Sequence, residues 1–334
     1  MKKHLTSQEY QERDSARKAD AKTAVDGSIQ ALLDEVRAGK SERLVEWMNF
    51  CSAFHRYSSA NQWLLACQLA ARDIQPSFVA SYNDWQRIGK ERHGKPYQVR
   101  KGENALSIWV PRPYTRKEEK PVDGLLVNGD EQQEKQYISF FVKPVVFDAS
   151  QIDQSEGQPP LDHFWQPQAD SESARHLYDA LRSYAVSEGF SCHEEQLPES
   201  TQGYSQGTKI AVKAGLDATS LCNVFIHELT HGLLHQRTQA PDDGAAPLDK
   251  RGRECEAEAV SYVVARHFGI PNVFSADYLI MYQVTPEVLI ARLTRICNVA
   301  HQIIERAETA LSQEVAAGTR INKPQGATPE RTIS

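Results

Sequence analysis

Residues 225–236 read FIHELTHGLLHQ, and this stretch restricts the chain more than any other. His227, Glu228 and His231 stand in the order H-E-x-x-H. On a helix, side chains four apart lie on one face about one turn apart, so both imidazoles can reach one ion. Zinc takes imidazole nitrogen readily and prefers a tetrahedron. The glutamate beside the first histidine is then placed as general base toward a water that zinc acidifies to a pKa of roughly 7. The flanking residues call for a helix: Cys222, Ile226, Leu229 and Leu233 recur with helical period. Asp217 stands upstream as its N-cap. The two histidines sit beside the apolar stripe, where the buried face of a helix meets a cleft.

A catalytic zinc takes three protein ligands and keeps a fourth position open. One known continuation needs glycine at 234 and histidine at 237; this chain has Leu234 and Arg237, which excludes it. The other draws a glutamate from a second helix, and RECEAEAVSYVVARHFGI (253–270) offers Glu254, Glu256 and Glu258. Glu256 lines up with Ala259, Val260, Val263 and His267, the most apolar stripe of that helix, so it is expected to point inward and leads as third ligand. Glu254 and Glu258 share a mixed face with Ser261, Tyr262 and Ala265 and remain alternatives. Acidic residues near a helix N-terminus also suit its dipole. His235, one turn past His231, reads as an outer neighbour of the site, and His267 as a packed core histidine. Tyr204, Tyr262 and Tyr282 each offer a hydroxyl to polarise a substrate carbonyl. Residues 203–220 fit an edge strand before the metal helix, with Ile210 and Val212 alternating with Ala211 and Lys213. Such an edge takes extended peptide by strand addition.

These residues resemble the HExxH-plus-Glu metallopeptidases of the ImmA/IrrE type and the related zincin domain of ArdC-like antirestriction proteins. The first group has E-A-N-x-F-A after the metal helix; residues 256–261 read E-A-E-A-V-S, which implies Glu256 as ligand. The ArdC register also admits Glu254 or Glu258.

The chain has 334 residues, room for two domains with cores. Hydrophobic residues are 40% and charged residues 25%, ordinary for a soluble globular protein. No apolar run is long enough to span a membrane, and MKKHLTSQEY lacks the apolar core of a secretory signal. Six cysteines without C-x-x-C spacing read as free thiols in a reducing, cytoplasmic compartment. Net charge is −6, yet residues 85–120 carry ten basic and four acidic side chains. A basic segment in an acidic chain is either a solvated hairpin or a partner surface.

The first half reads as helices over about 23–38, 41–56, 58–71 and 82–88, the last ending at Gly89. Strands follow at 104–111 and 136–148, around a charged insert (112–135) that holds an Asn128-Gly129 turn signal. FHRYSSANQWLLACQ, SYNDWQRIGK, VRKGENALSIWVP and VKPVVFDASQ resemble, in order, the landmarks of the N-terminal domain of the ArdC family. That resemblance implies binding of single-stranded DNA, which needs cations for phosphates and aromatic faces for bases. Arg56, Arg87, Lys90, Arg92, Lys95, Arg100 and Lys101 offer the first; Tyr57, Trp63, Trp85 and Trp109 offer the second, with Asn61 as a polar contact. Trp109 either packs on the helices or stacks bases, and Asn61 either contacts DNA or caps a helix.

The expected architecture is α+β. A charged, disordered segment (1–22) precedes a DNA-binding domain of helices and a small antiparallel sheet (23–151). A linker (152–172), a mostly helical zincin-like (gluzincin) metallopeptidase domain (173–311) and a disordered tail (312–334) follow. The resemblance implies an antirestriction protein of a mobile element such as a plasmid, binding single-stranded DNA and holding Zn2+ for hydrolysis of a protein or peptide. Two rivals stand: a regulatory peptidase that cleaves a repressor, and a DNA-binding protein whose zinc is only structural.

Overall fold

The computed structural model describes residues 7–40, 42–117, 134–153, 171–236, 248–272 and 286–321. The Asn128-Gly129 turn, most of the 152–172 linker and Tyr282 lie outside them. The fold is α+β. It divides into two compact units: the chain through Leu33 with Tyr57–Trp165, and Asp34–Arg56 with Gln166 onward. Residues 34–56 thus pack with the second unit, although the sequence groups them with the first domain. Their helix is apolar enough to explain this, burying Leu44, Trp47, Met48, Phe50 and Cys51.

In the first unit, α1 (Ser7–Arg37) begins well inside the segment expected to be disordered. Two things hold residues 7–22 helical. Lys18 pairs with Asp14 one turn back at 2.7 Å, and Ala21 is buried against Leu64 and Val142. α3 (Ser59–Ala71) is capped by Ser58 and α4 (Tyr82–His93) by Ser81. α4 does not end at Gly89; it runs on to a left-handed cap at Gly94. Gly89 is needed for a different reason: a Cβ there would stand 2.3 Å from the Tyr97 amide nitrogen.

The sheet has the order β1 (Val79–Ser81), β4 (Glu134–Asp148), β3 (Leu106–Lys117), all antiparallel. β3 is the edge strand, where Pro111 and Pro113 cost no ladder bond in the middle of a sheet. β2 (Gln98–Val99) pairs with β5 (Ile152–Asp153). Asp148 and Gln151 form a capping box between β4 and β5, and Gln151 also donates to the Asn104 carbonyl at 2.9 Å. The RKGE and VFDASQ landmarks are therefore pinned to each other.

In the second unit, α2 (Glu42–Ala53) packs with α7 (Lys250–His267), and α5 (Ser171–Ser187) with α6 (Ala218–His231) and α8 (Pro286–Ile321). Residues 312–321 continue α8 and are not a disordered tail. Phase-matched buried positions (Leu289, Leu293, Ile296, Ala300, Ile303, Ile304, Ala307) anchor α8 over its first two thirds. A three-stranded sheet has the order β6 (Ser191–Glu195), β8 (Lys209–Lys213), β7 (Gly203–Gln206), with β8 parallel to β6. The strand of Ile210 and Val212 is thus the central one, covered on both faces with Ala211, and the edge falls to β7. All six cysteines are free. No helix among the described residues is long and apolar enough to cross a membrane.

Candidate metal centre

α6 starts at Asp217, whose side chain accepts the Ser220 amide at 3.0 Å, as its position predicts. Leu221, Cys222, Phe225, Ile226 and Leu229 bury one face. At the edge of that face His227 and His231 turn toward a cavity of about 1160 Å3, and Glu228 lines the same space. The two imidazoles meet through Nε2 at 3.0 Å.

The carboxylate that joins them is Glu254, not Glu256. Glu254 Oε2 lies 3.3 Å from His227 Nε2 and 3.4 Å from His231 Nε2. Glu256 is on the buried stripe, as the periodicity predicts, but that stripe faces the core. Its carboxylate is bound by Arg295 of α8 and by His235 Nε2 at 3.3 Å. The mixed face of α7, with Glu254, Glu258 and Ser261, is the one that lines the cavity.

The donor set fits a tetrahedral ion. Bonds of about 2.0–2.1 Å put ligand atoms about 3.3 Å apart in a tetrahedron; the three separations are 3.0, 3.3 and 3.4 Å. Burial favours the neutral form of both imidazoles, the form that ligates: it lowers His227, and together with the repulsion that two protonated rings would exert it takes His231 down to about 4. The Nδ1 of His231 is held by His235 Nδ1 at 3.0 Å. A chain from His231 through His235 and Glu256 to Arg295 therefore fixes the ring. Outer hydrogen bonds of this kind orient metal-ligating histidines.

Glu228 makes no contact with the two imidazoles that would mark it as a ligand. Burial, and then the charge of Glu254, push its carboxyl up to about 7. Beside it runs β7. Gly203 allows the close approach, since a Cβ there would be 2.7 Å from Val224 Cγ1 and 3.0 Å from Glu228 Cγ. Tyr204 lines the cavity, with its hydroxyl on Glu195 at 3.0 Å. Tyr262 instead donates to Asn49 Oδ1 at 2.8 Å.

The residues expected to bind DNA have a different outcome. Trp85 is fully buried and its indole N–H donates to the Phe147 carbonyl at 3.0 Å, so it is not a stacking platform. Trp63 is buried as well. Trp109 packs beside Leu64 and Val142 under the helices. Asn61 is spent on the backbone of Trp109, accepting from its N–H at 2.7 Å and donating to its carbonyl at 3.1 Å. Tyr57 donates to the Val79 carbonyl, and burial pushes its phenol up to about 12. Arg87 pairs with Glu91 and Asp84, and Arg100 with Glu103. Arg56 belongs to the second unit and pairs with Glu308. Lys90 and Lys101 are exposed.

Sequence reasoning missed the β3–β4 arm. Ile138 and Phe140 are 64% and 51% exposed there, opposite Pro113 and Pro111. On the other sheet face, Arg112 and Lys143 lie 5.6 and 5.9 Å from the centre of the Phe141 ring. The run ISFFV gave a signal: Ile138, Phe140 and Val142 share one strand face, and of the three only Val142 is buried under the helices.

Residues 27–147 match the family model described as the N-terminal domain of anti-restriction factor ArdC. An uncharacterized protein of Bacillus anthracis is 24% identical over 261 residues, covering 69% of this chain; the match spans 41% of that protein's length. A crystal structure of the antirestriction ArdC protein from the R388 plasmid, in metal-free form, aligns with a TM-score of 0.42 at 18% identity, over 88% of this chain and 98% of that one. Over residues 27–147, then, this chain is similar to the N-terminal domain of the anti-restriction factor ArdC.

Proposed function

We propose that this ArdC-like chain is a zinc-dependent metallopeptidase that also binds single-stranded DNA. The observation that carries the enzymatic half is the convergence of His227 Nε2, His231 Nε2 and Glu254 Oε2 at 3.0–3.4 Å, on the floor of the cavity that Glu228 borders. His227, His231 and Glu254 would hold the ion, leaving one tetrahedral position toward the cavity. Zinc, when bound, supplies Lewis acidity that activates water and substrate carbonyl near neutral pH. Glu228 takes a proton and returns it to the departing amine, a role its raised pKa of about 7 suits. The edge of β7 offers main-chain hydrogen bonds to an extended peptide, aligning it along Glu228.

The DNA half rests on the ArdC N-terminal domain match and on the β3–β4 arm, where Phe140 supplies an exposed ring and Arg112 and Lys143 supply charge. In an antirestriction role, binding of incoming single strands would bring the peptidase to proteins gathered on that DNA.

The test uses zinc-loaded full-length protein and Glu228→Gln, compared for new protein N-termini in an extract of a restricting host. New termini made by the wild type alone, at equal metal content, support the enzyme. Identical termini from both proteins reject it and leave a structural metal. Cleavage confined to a repressor favours the regulatory peptidase.

A further inference from the structure

Away from the cavity, a second set of metal-capable side chains meets inside the second unit. His55 follows α2, His267 ends α7 and Glu308 lies on α8, and one ligand atom from each lies within 4.8 Å of the others. None of them takes part in the centre described above. His55 is 4% exposed and His267 6%.

The hydrogen bonding around His267 is the key. Its Nδ1 is 3.1 Å from the Ser52 carbonyl oxygen, which can only accept. Nδ1 therefore carries a proton. Nε2 then faces Glu308 Oε1 at 3.0 Å. In a neutral imidazole that nitrogen presents a lone pair, and so does the carboxylate oxygen. The contact needs a positive centre: a second proton on the ring, or a cation shared by the two groups. A second proton would place an imidazolium edge-on to the buried His55 ring, whose centroid is 4.6 Å away, and would leave His55 without a role; Arg56 lies on the other oxygen of Glu308, Oε2, at 2.9 Å. A cation instead recruits His55 as a donor and removes the clash of lone pairs. The Ser52 carbonyl does for His267 what an outer hydrogen bond does for a metal-bound imidazole, fixing tautomer and ring plane. His301 adds a further imidazole next to His55, Nδ1 to Nδ1 at 3.3 Å.

We propose that His55, His267 and Glu308 form a second, structural divalent-metal site of the His–His–carboxylate class, which suits zinc and its first-row neighbours and clasps the end of α2 to α7 and α8. His55 and His267 are buried and Glu308 closes the site at the surface, so the ion's part is to hold the helices together. It also gives a reason for residues 34–56 to leave the first unit's span of the chain.

Full-length protein is stripped with chelator, reloaded with Zn2+ alone and desalted, and zinc per chain is counted by elemental analysis. The wild type should carry two. The double variant His227→Ala/His231→Ala should retain one, and His55→Gln/His267→Gln should also retain one. X-ray absorption on zinc-loaded His227→Ala/His231→Ala should find imidazole nitrogens at about 2.0–2.1 Å, which keeps the inference open to refutation if the His55/His267 variant fails to fold. Absence of zinc from folded His227→Ala/His231→Ala overturns the second site and leaves the cavity centre standing. One zinc in the wild type that survives His227→Ala/His231→Ala overturns the cavity centre and leaves the second site standing.

Discussion

The two units treat the residues that the sequence singles out in opposite ways. In the second, His227, Glu228 and His231 gather on one cavity. In the first, Trp63, Trp85 and Asn61 disappear into packing and backbone hydrogen bonds. The difference is one of chemistry. A buried imidazole pair is costly unless something binds it, so a histidine pair on a helix edge points to a site. A tryptophan gains most by being buried, so aromatic side chains in a sequence point first to a core. Motifs made of groups that resist burial report function; motifs made of groups that favour it report the fold.

The largest expected effect tests the first half of that contrast. Glu228→Gln should cut metal-dependent peptide hydrolysis by roughly 10²–10⁴-fold, the usual contribution of a positioned acid–base group. Zinc content should not change, because Glu228 lies outside the set of converging donors. A variant that no longer holds zinc would make Glu228 a ligand and break the assignment.

Trp85→Ala tests the second half. Removing a fully buried indole should destabilise the protein by about 3–5 kcal/mol in urea unfolding. A variant as stable as the wild type, with weakened DNA binding, would restore Trp85 as a stacking residue.

The carboxylates of α7 show how far the sequence was legible. Periodicity placed Glu256 on the inward face, and it is there, 1% exposed. Pointing inward and binding the metal are nevertheless different things on this helix. Two directions count as inward, toward the core and toward the cleft, and an amphipathic pattern marks only the first. The cleft side of α7 is the mixed face, because a cavity wall needs polar groups that can meet a ligand and water. Glu256 found its partner in Arg295, about forty positions along the chain, and no local pattern signals that pairing. His55, His267 and Glu308 were hidden for the same reason: they come from separate parts of the chain, so they form no spacing to read. The α+β class, the cap at Asp217 and the helix of HELTH were readable because each rests on neighbours within a turn or two.

Glu254 and Glu256 therefore separate by kind of effect. Glu256→Gln breaks a buried pair with Arg295 and should cost about 3 kcal/mol of stability, the lower end for such pairs. It should also loosen zinc by about 10–100-fold through His235, as removal of an outer partner does. Glu254→Gln, at a side chain 43% exposed, should leave stability nearly unchanged and lower zinc affinity further. Titration calorimetry and thermal melts on both variants decide it. The reverse pattern would return Glu256 to the ion.

The smallest expected effects are on DNA, and they sharpen the contrast from the side of the first unit. Phe140 is an exposed aromatic that this unit offers where Trp63 and Trp85 are buried. If it stacks a base, Phe140→Ala should weaken single-stranded DNA binding by about 1–3 kcal/mol, with the salt dependence unchanged, since a stacked ring releases no counterions. Arg112→Gln should do the opposite. Leaving one phosphate of a single strand without its cation flattens the slope of log K against log salt by about 0.7. Measured by fluorescence anisotropy on the full chain, these two signatures are separable even when each change in affinity is small. The full chain is the proper material, because a fragment ending after β5 would keep residues 34–56 without the unit they pack with. A salt slope altered by Phe140→Ala and untouched by Arg112→Gln would mean the arm packs against protein and leaves the strand to another face. Lys90 and Lys101, exposed on the first unit, would then be the next cations to neutralise.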